Sequence, residues 1–249
     1  MTNYQKLLNH LEELKLHQIR HNLPTFLELV NTQQKTFVDT LYELTRLEIE
    51  AKRIRTINPG VTTAGFPFLK TLEDFDFNYQ PTIKKSYLYD LASLRFIENK
   101  ENIIFIGTPG VGKTHLAVAL GIGAATYRKI AYFISCHDLI QQLKRAHFEN
   151  NLEERMKHFN KYHCLIIDEV GYLPIDQEGA NLFFQLISKR YEHKSTIITT
   201  NKPLNRWTDI FQDPVTVNAI LDRLLHHSHL INIIGQSYRI KDKLDQFED

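Results

Sequence analysis

The sequence predicts an α/β domain built on a mainly parallel sheet, preceded by a small all-helical region. Three observations carry that reading. From Asn102 onward, short apolar runs alternate with helical stretches, the pattern of strands joined by crossover helices. The runs are mostly continuous, as strands buried on both faces should be. Before them, residues 1–57 space their apolar side chains three and four apart, which is the helical period.

Taken in order, Leu7, Leu8, Leu11 and Leu14 form one stripe, and Phe37, Val38, Leu41, Leu44 and Leu47 another. Pro24 is expected to open a short middle helix, because proline suits a first turn. The second long helix is expected to end near Asn58-Pro59-Gly60, a strong breaker. Residues 58–80, interrupted by Gly65 and Pro67 as well, read as a linker. Residues 81–249 read as the main domain. Its expected strands are Ile103–Ile106, Ile130–Ile134, Cys164–Ile167, Thr196–Thr199 and Leu230–Ile234. Its expected helices are Lys113–Tyr127, Asp138–His147, Gly179–Glu192 and Val217–His226.

The chain has 249 residues, 43% of them hydrophobic and 24% charged, with a net charge of +1. That is ordinary globular composition. It makes no general case for nucleic acid or membrane, so any such case rests on local patches. No apolar run approaches the ~20 residues of a membrane span, and the N-terminus is polar and amphipathic, unlike a signal peptide. Cys136 and Cys164 have neither disulfide nor zinc spacing and read as buried thiols in a reducing compartment. The expectation is a cytoplasmic protein with no membrane partner.

The segment Gly107-Thr108-Pro109-Gly110-Val111-Gly112-Lys113-Thr114 matches G-x-x-x-x-G-K-[ST] in full. A buried strand precedes it and a helix rich in Ala and Leu follows, which is the context the motif needs. Glycines let successive N–H groups curl towards phosphate oxygens, and the helix N-terminus adds partial positive charge. Lys113 is expected on the β- and γ-phosphates of ATP, and the Thr114 hydroxyl on Mg2+. His115, the next residue, completes the expected nucleotide-binding stretch.

Cys164–Ile167 leads into Asp168-Glu169. Ligands of a parallel sheet sit at the carboxyl ends of its strands, so these carboxylates should meet the phosphate loop. Asp168 is expected to hold the metal and Glu169 to polarise the attacking water as general base. The following strand ends at Asn201, a candidate to meet the γ-phosphate or that water. The alternative for Asn201 is a turn or cap before Pro203.

These residues together resemble the AAA+ division of P-loop ATPases and, within it, the IstB-like members of the IstB/DnaC-like group. Three stretches carry the narrower likeness: Lys70 to Phe77, Leu221-Asp222-Arg223-Leu224-Leu225-His226-His227, and Gly235-Gln236-Ser237-Tyr238-Arg239. The resemblance implies a five-stranded core of order 5-1-4-3-2, with Asn201 as sensor. It implies that Arg223 acts as an arginine finger on a neighbouring subunit's ATP, hence self-assembly with ATP. It implies duplex DNA and a transposase as partners, in transposition of an insertion sequence. About ten residues follow Arg239, so a truncated lid is expected, with Arg239 a partial substitute for a lid sensor.

Arg223 falls off the apolar stripe of its helix, where its planar fork suits γ-phosphate charge; the alternative is an ordinary exposed arginine. Lys52, Arg53 and Arg55 end the helical region, and Lys144 and Arg145 open a second basic stretch. Both are candidate DNA contacts through phosphate, against the alternative of solvated helix faces. His226, His227 and His229 lack a carboxylate at zinc spacing and read as surface or DNA-facing residues. Two other functions fit a phosphate loop. A DnaC-like helicase loader shares the chemistry and differs in its partner. A P-loop kinase needs an arginine-rich lid, which is not evident.

Overall fold

The computed structural model describes residues 2–32 and 35–240, without the side chains of residues 31, 50–59 and 240. The chain divides into two compact units, residues 1–59 and 60–249.

The first unit holds α1 (Asn3–Glu13), α2 (His17–Asn31) and most of α3 (Phe37–Thr63). Leu11, Leu23 and Leu44 form its small core, with Leu8, Leu16, Ile19 and Phe26 packed around them. Thr2 and Gln5 make a reciprocal capping box on α1. The start of α2 lacks a cap from its own sequence. Glu48 of α3 supplies one instead, accepting from the N–H groups of Gln18 at 2.7 Å and Ile19 at 3.1 Å. Two expectations are corrected here. Pro24 lies inside α2 and does not start it, because packing of the stripe of buried Leu23 and partly buried Ile19 and Phe26 on the small core outweighs the lost hydrogen bond. The third helix continues past Asn58-Pro59-Gly60 to Thr63.

The second unit begins where Val61 and Ala64 are buried. The Ala64 carbonyl accepts from Phe133 N–H at 2.7 Å, covering one edge of the sheet. The stretch expected as a linker, 58–80, is packed: Leu72 and Phe75 are buried in the second unit's own core. Two short helices, α4 (Lys85–Leu91) and α5 (Arg95–Glu98), lead into the sheet.

The sheet comprises β1 (Asn102–Gly107), β2 (Ala131–Ser135), β3 (Cys164–Val170), β4 (Ser195–Thr200) and β5 (Ser228–Ile233). The order is β2-β3-β4-β1-β5, and every pairing is parallel. This is the expected 5-1-4-3-2 order read from the other edge. The crossovers run through α6 (Lys113–Thr126), the pair α7 (Cys136–Phe148) and α8 (Leu152–Asn160), α9 (Gln177–Arg190), and α10 (Thr208–Phe211) with α11 (Pro214–Leu225). Side chains alternate across each strand. Ile104, Leu165, Ile167 and Ile198 face a core with α7, α8, α9 and α11. Ile103, Phe105, Ile166 and Ile197 face a second core with α6 and the 66–97 segment. Cys136 and Cys164 are buried as expected, and burial pushes both thiols up to about 12. Among the described residues, no helix is long and apolar enough to cross a membrane.

Candidate nucleotide and magnesium site

At the carboxyl edge of the sheet lies a cavity of about 580 Å³. The loop Gly107 to Thr114 forms one wall. Gly110 and Gly112 have φ of 84° and 97°, a region that costs any residue with a Cβ. There is no room for one either: it would lie 1.9 Å from Ser237 Oγ at Gly110, and 2.5 Å from the Phe75 ring at Gly112. The helices α7, α9 and α11 each begin with a side-chain cap from Ser135, Asp176 or Asp213. By contrast α6 begins at Gly112 with none, which leaves its first amides open to an anion. Val111 is buried beneath the loop, so it offers the cavity backbone only. Thr108 and Pro109 are exposed at the loop's tip.

Lys113 folds back on this loop. Its Nζ donates to the carbonyls of Gly107 and Thr108, both at 2.8 Å. Burial holds its pKa below the usual lysine value, while the charges of Asp168 and Glu169 act in the opposite sense and that of Arg239 in the same sense. The Thr114 hydroxyl meets Asp168 at 3.0 and 3.2 Å. Thr199 donates to Asp168 Oδ1 at 2.5 Å. Burial raises the Asp168 pKa, and the bonds from Thr199 and Thr114 partly oppose it. Asp168 and Thr114 thus present converging hard oxygen donors, the set that suits Mg2+.

Glu169 is exposed and lines the cavity. Asn201 lines it too, with Oδ1 buried and without a hydrogen-bond partner. The turn before Pro203 is made by Thr200, whose hydroxyl accepts from Lys202 N–H at 3.1 Å, so Asn201 is not needed for it. His115 Nε2 stands 2.8 Å from the Thr71 carbonyl. A carbonyl only accepts, so Nε2 carries the proton. Burial lowers the His115 pKa, and its ring packs edge-on to Phe75 at 5.3 Å.

Several wall residues were not singled out as a binding site from the sequence. Phe68, Lys70, Asp74, Phe75 and Gln80 come from the stretch read as a linker. Tyr238 and Arg239 come from the C-terminal segment, where Tyr238 N–H bonds the Gly110 carbonyl at 2.9 Å. The family likeness covered Lys70, Asp74, Phe75, Tyr238 and Arg239, with Arg239 expected as a partial lid sensor, and nothing pointed to Phe68 or Gln80.

Other candidates lie away from the cavity. Arg223 stacks over Phe184 at 4.8 Å and donates to the Ala219 carbonyl; it lines no part of the cavity of its own chain. Lys144 pairs with Asp176, with Glu178 at 3.9 Å, and Arg145 pairs with Glu149 at 2.8 Å. The side chains of Lys52, Arg53 and Arg55 lie outside the described residues. A carboxylate does join the histidines: Glu192, His226 and His227 bring ligand atoms within 4.8 Å of one another, all three exposed. It comes from far along the chain, beyond the reach of a spacing rule.

Comparison with known proteins gives the chain a family and a fold. The family described as IstB-like ATP binding protein matches residues 9–246. The chain is 51% identical over 247 residues to the insertion sequence IS232 ATP-binding protein of Bacillus thuringiensis subsp. berliner, covering 99% of each. It is 41% identical over 233 residues to the insertion sequence IS21 ATP-binding protein of Pseudomonas aeruginosa, covering 94% of this chain and 88% of that one. Among solved structures, the DnaC helicase loader is similar with a TM-score of 0.57 at 26% identity, over 66% of this chain and 96% of that one. AMPPCP-bound DnaA from Aquifex aeolicus shares the fold at 22% identity, with a TM-score of 0.56, over 74% of this chain and 57% of that one. With an AAA+ P-loop core in place and relatives aligned almost end to end, the chain belongs to the IstB-like ATP binding protein family.

Proposed function

We propose that this protein hydrolyses ATP in the cavity at the carboxyl edge of its sheet, and uses that cycle on duplex DNA to assist a transposase. The observation that carries the reading is the convergence of Lys113, Thr114, Asp168 and Glu169 on one cavity. Lys113 exchanges two neutral carbonyls for phosphate oxygens, a stronger charge-assisted pairing. Thr114 and Asp168 hold the metal. When bound there, Mg2+ would supply neutralisation of the phosphate charge. Glu169 accepts a proton from the attacking water. The free Asn201 Oδ1 orients that water or the γ-phosphate group. Arg223, away from its own chain's cavity, serves the cavity of a neighbouring copy, so turnover requires assembly. ATP then favours the assembled DNA-bound form through differential affinity.

The relatives' association with insertion sequences supports the transposase as partner. A second reading, a helicase loader, is favoured by the likeness to the DnaC loader over 96% of that chain. Co-purification with the transposase or with a replicative helicase separates the two. The test of the chemistry is ATP turnover with and without duplex DNA. Glu169→Gln is expected to bind ATP, fail to hydrolyse it and remain on DNA; rapid turnover by that variant removes the general-base role.

A further inference from the structure

A hydroxyl in a strand buried on both faces must find partners or destabilise the sheet. Thr199 of β4 is 1% exposed, and its Oγ1 has two partners. It donates to Asp168 Oδ1 at 2.5 Å and accepts from Glu169 N–H at 3.0 Å. The directions are forced, since an ionised carboxylate only accepts and an amide only donates.

Those two bonds fall where β3 breaks register with β4. Ile167 pairs with Ile198, and pairing resumes at Val170 with Thr200. Asp168 and Glu169 therefore stand opposite Thr199 alone, which is a β-bulge. Glu169 adopts φ 61° there, a conformation a glutamate avoids without compensation. The bulge takes the Glu169 amide off the ladder, and the Thr199 hydroxyl satisfies it. The same bulge turns the Glu169 side chain out of the sheet, to the cavity wall and solvent.

We propose that Thr199 is a positioning residue for hydrolysis: one hydroxyl fixes the Asp168 carboxylate and locks the bulge that aims Glu169. The inference rests on the reading that Asp168 and Glu169 serve ATP hydrolysis. Thr199 stands at the cavity wall, with its hydroxyl spent on its two neighbours, and it acts through them. Groups that orient metal ligands and bases in this way change activity by about 10- to 100-fold when removed.

The experiment measures ATP turnover and Mg-ATP affinity for wild type, Glu169→Gln, Thr199→Val, Thr199→Ser and the double variant Glu169→Gln/Thr199→Val. Valine keeps the shape and removes the hydroxyl; serine keeps the hydroxyl. Thr199→Val is expected to lower kcat by about 10- to 100-fold while KM moves little. Thr199→Ser should recover most of that loss. In the Glu169→Gln background, Thr199→Val should cost less than it does alone, because one of the two groups it positions is already disabled. If the valine variant loses its cooperative melt, Thr199→Cys, with a feeble donor of similar size, takes its place under the same criteria. A wild-type kcat in Thr199→Val, or a serine variant as slow as the valine one, overturns the inference alone. A wild type without turnover, or Glu169→Gln at wild-type rate, overturns the hydrolysis reading and this inference with it.

Discussion

Lys113 and Lys144 both lie near the carboxyl edge of the sheet, and they are held in opposite ways. Lys113 is bonded to two backbone carbonyls, neutral acceptors that a polyanion displaces readily. Lys144 is bonded to Asp176, with Glu178 close by, so its charge is already matched. A cation parked on carbonyls is stored for a phosphate; a cation parked on carboxylates closes a surface. The motif around Lys113 encodes that difference, because its glycines and the uncapped start of α6 build the anion site locally. The run around Lys144 encodes nothing of the kind, since Asp176 and Glu178 reach it from the start of another helix.

The largest expected effect that sharpens this contrast is at Glu169, the general base proposed above. Glu169→Gln should lower turnover by about 10²- to 10⁴-fold with Mg-ATP binding retained, read by single-turnover hydrolysis. Lys113→Ala should lower kcat/KM by about 10²- to 10³-fold, the range for loss of one preorganised charge-stabilising donor. Next comes stability. Asp176 caps α9 through Gly179 N–H, and Asp176→Ala should cost about 1 kcal/mol and lower Tm by about 2–4 °C. The hydrogen bond from Lys144, then that from Gly179, holds the Asp176 carboxyl below its ordinary value of 3.8. Its contribution is therefore complete above that value and is lost as pH falls through the depressed folded pKa. The Tm gap between wild type and Asp176→Ala should stay constant at neutral pH and narrow only as pH falls below that ordinary value; a gap that does not narrow there would break the assignment. The smallest effect belongs to Lys144→Ala: a change under about 1 kcal/mol in stability and no change in the salt slope of duplex binding. A slope reduced by about one unit would mean that Lys144 leaves Asp176 for phosphate, and would erase the contrast.

The same contrast explains what was legible in the sequence. Strands β1 to β5 stood out because apolar runs buried on both faces leave a strong pattern, and their order came with the family resemblance. Phosphate loop, Asp168 and Glu169 were legible because each sits at a defined point on a strand or loop. Pro24 misled because the packing of Leu23 and Phe26 on the helical unit's core outweighs a local rule. The wall formed by Phe68, Phe75 and Gln80 was hidden because its glycines and prolines resemble a linker, while its packing depends on residues distant in the chain. Thr199 was hidden because a threonine is an ordinary strand residue; only the register break in β3 shows what its hydroxyl does. Arg223 was legible as an arginine off the buried stripe, and its stacking on Phe184 of α9 was not, since helix packing partners leave no local signal.

The most direct test of the nucleotide site is titration of Mg-ATP into wild type, Lys113→Ala and Asp168→Asn, with and without chelation of magnesium. One saturable site is expected in wild type, weakened by about tenfold or more in each variant and on chelation. Equal affinity across all three proteins would contradict the placement of the triphosphate beside Lys113 and its metal beside Asp168.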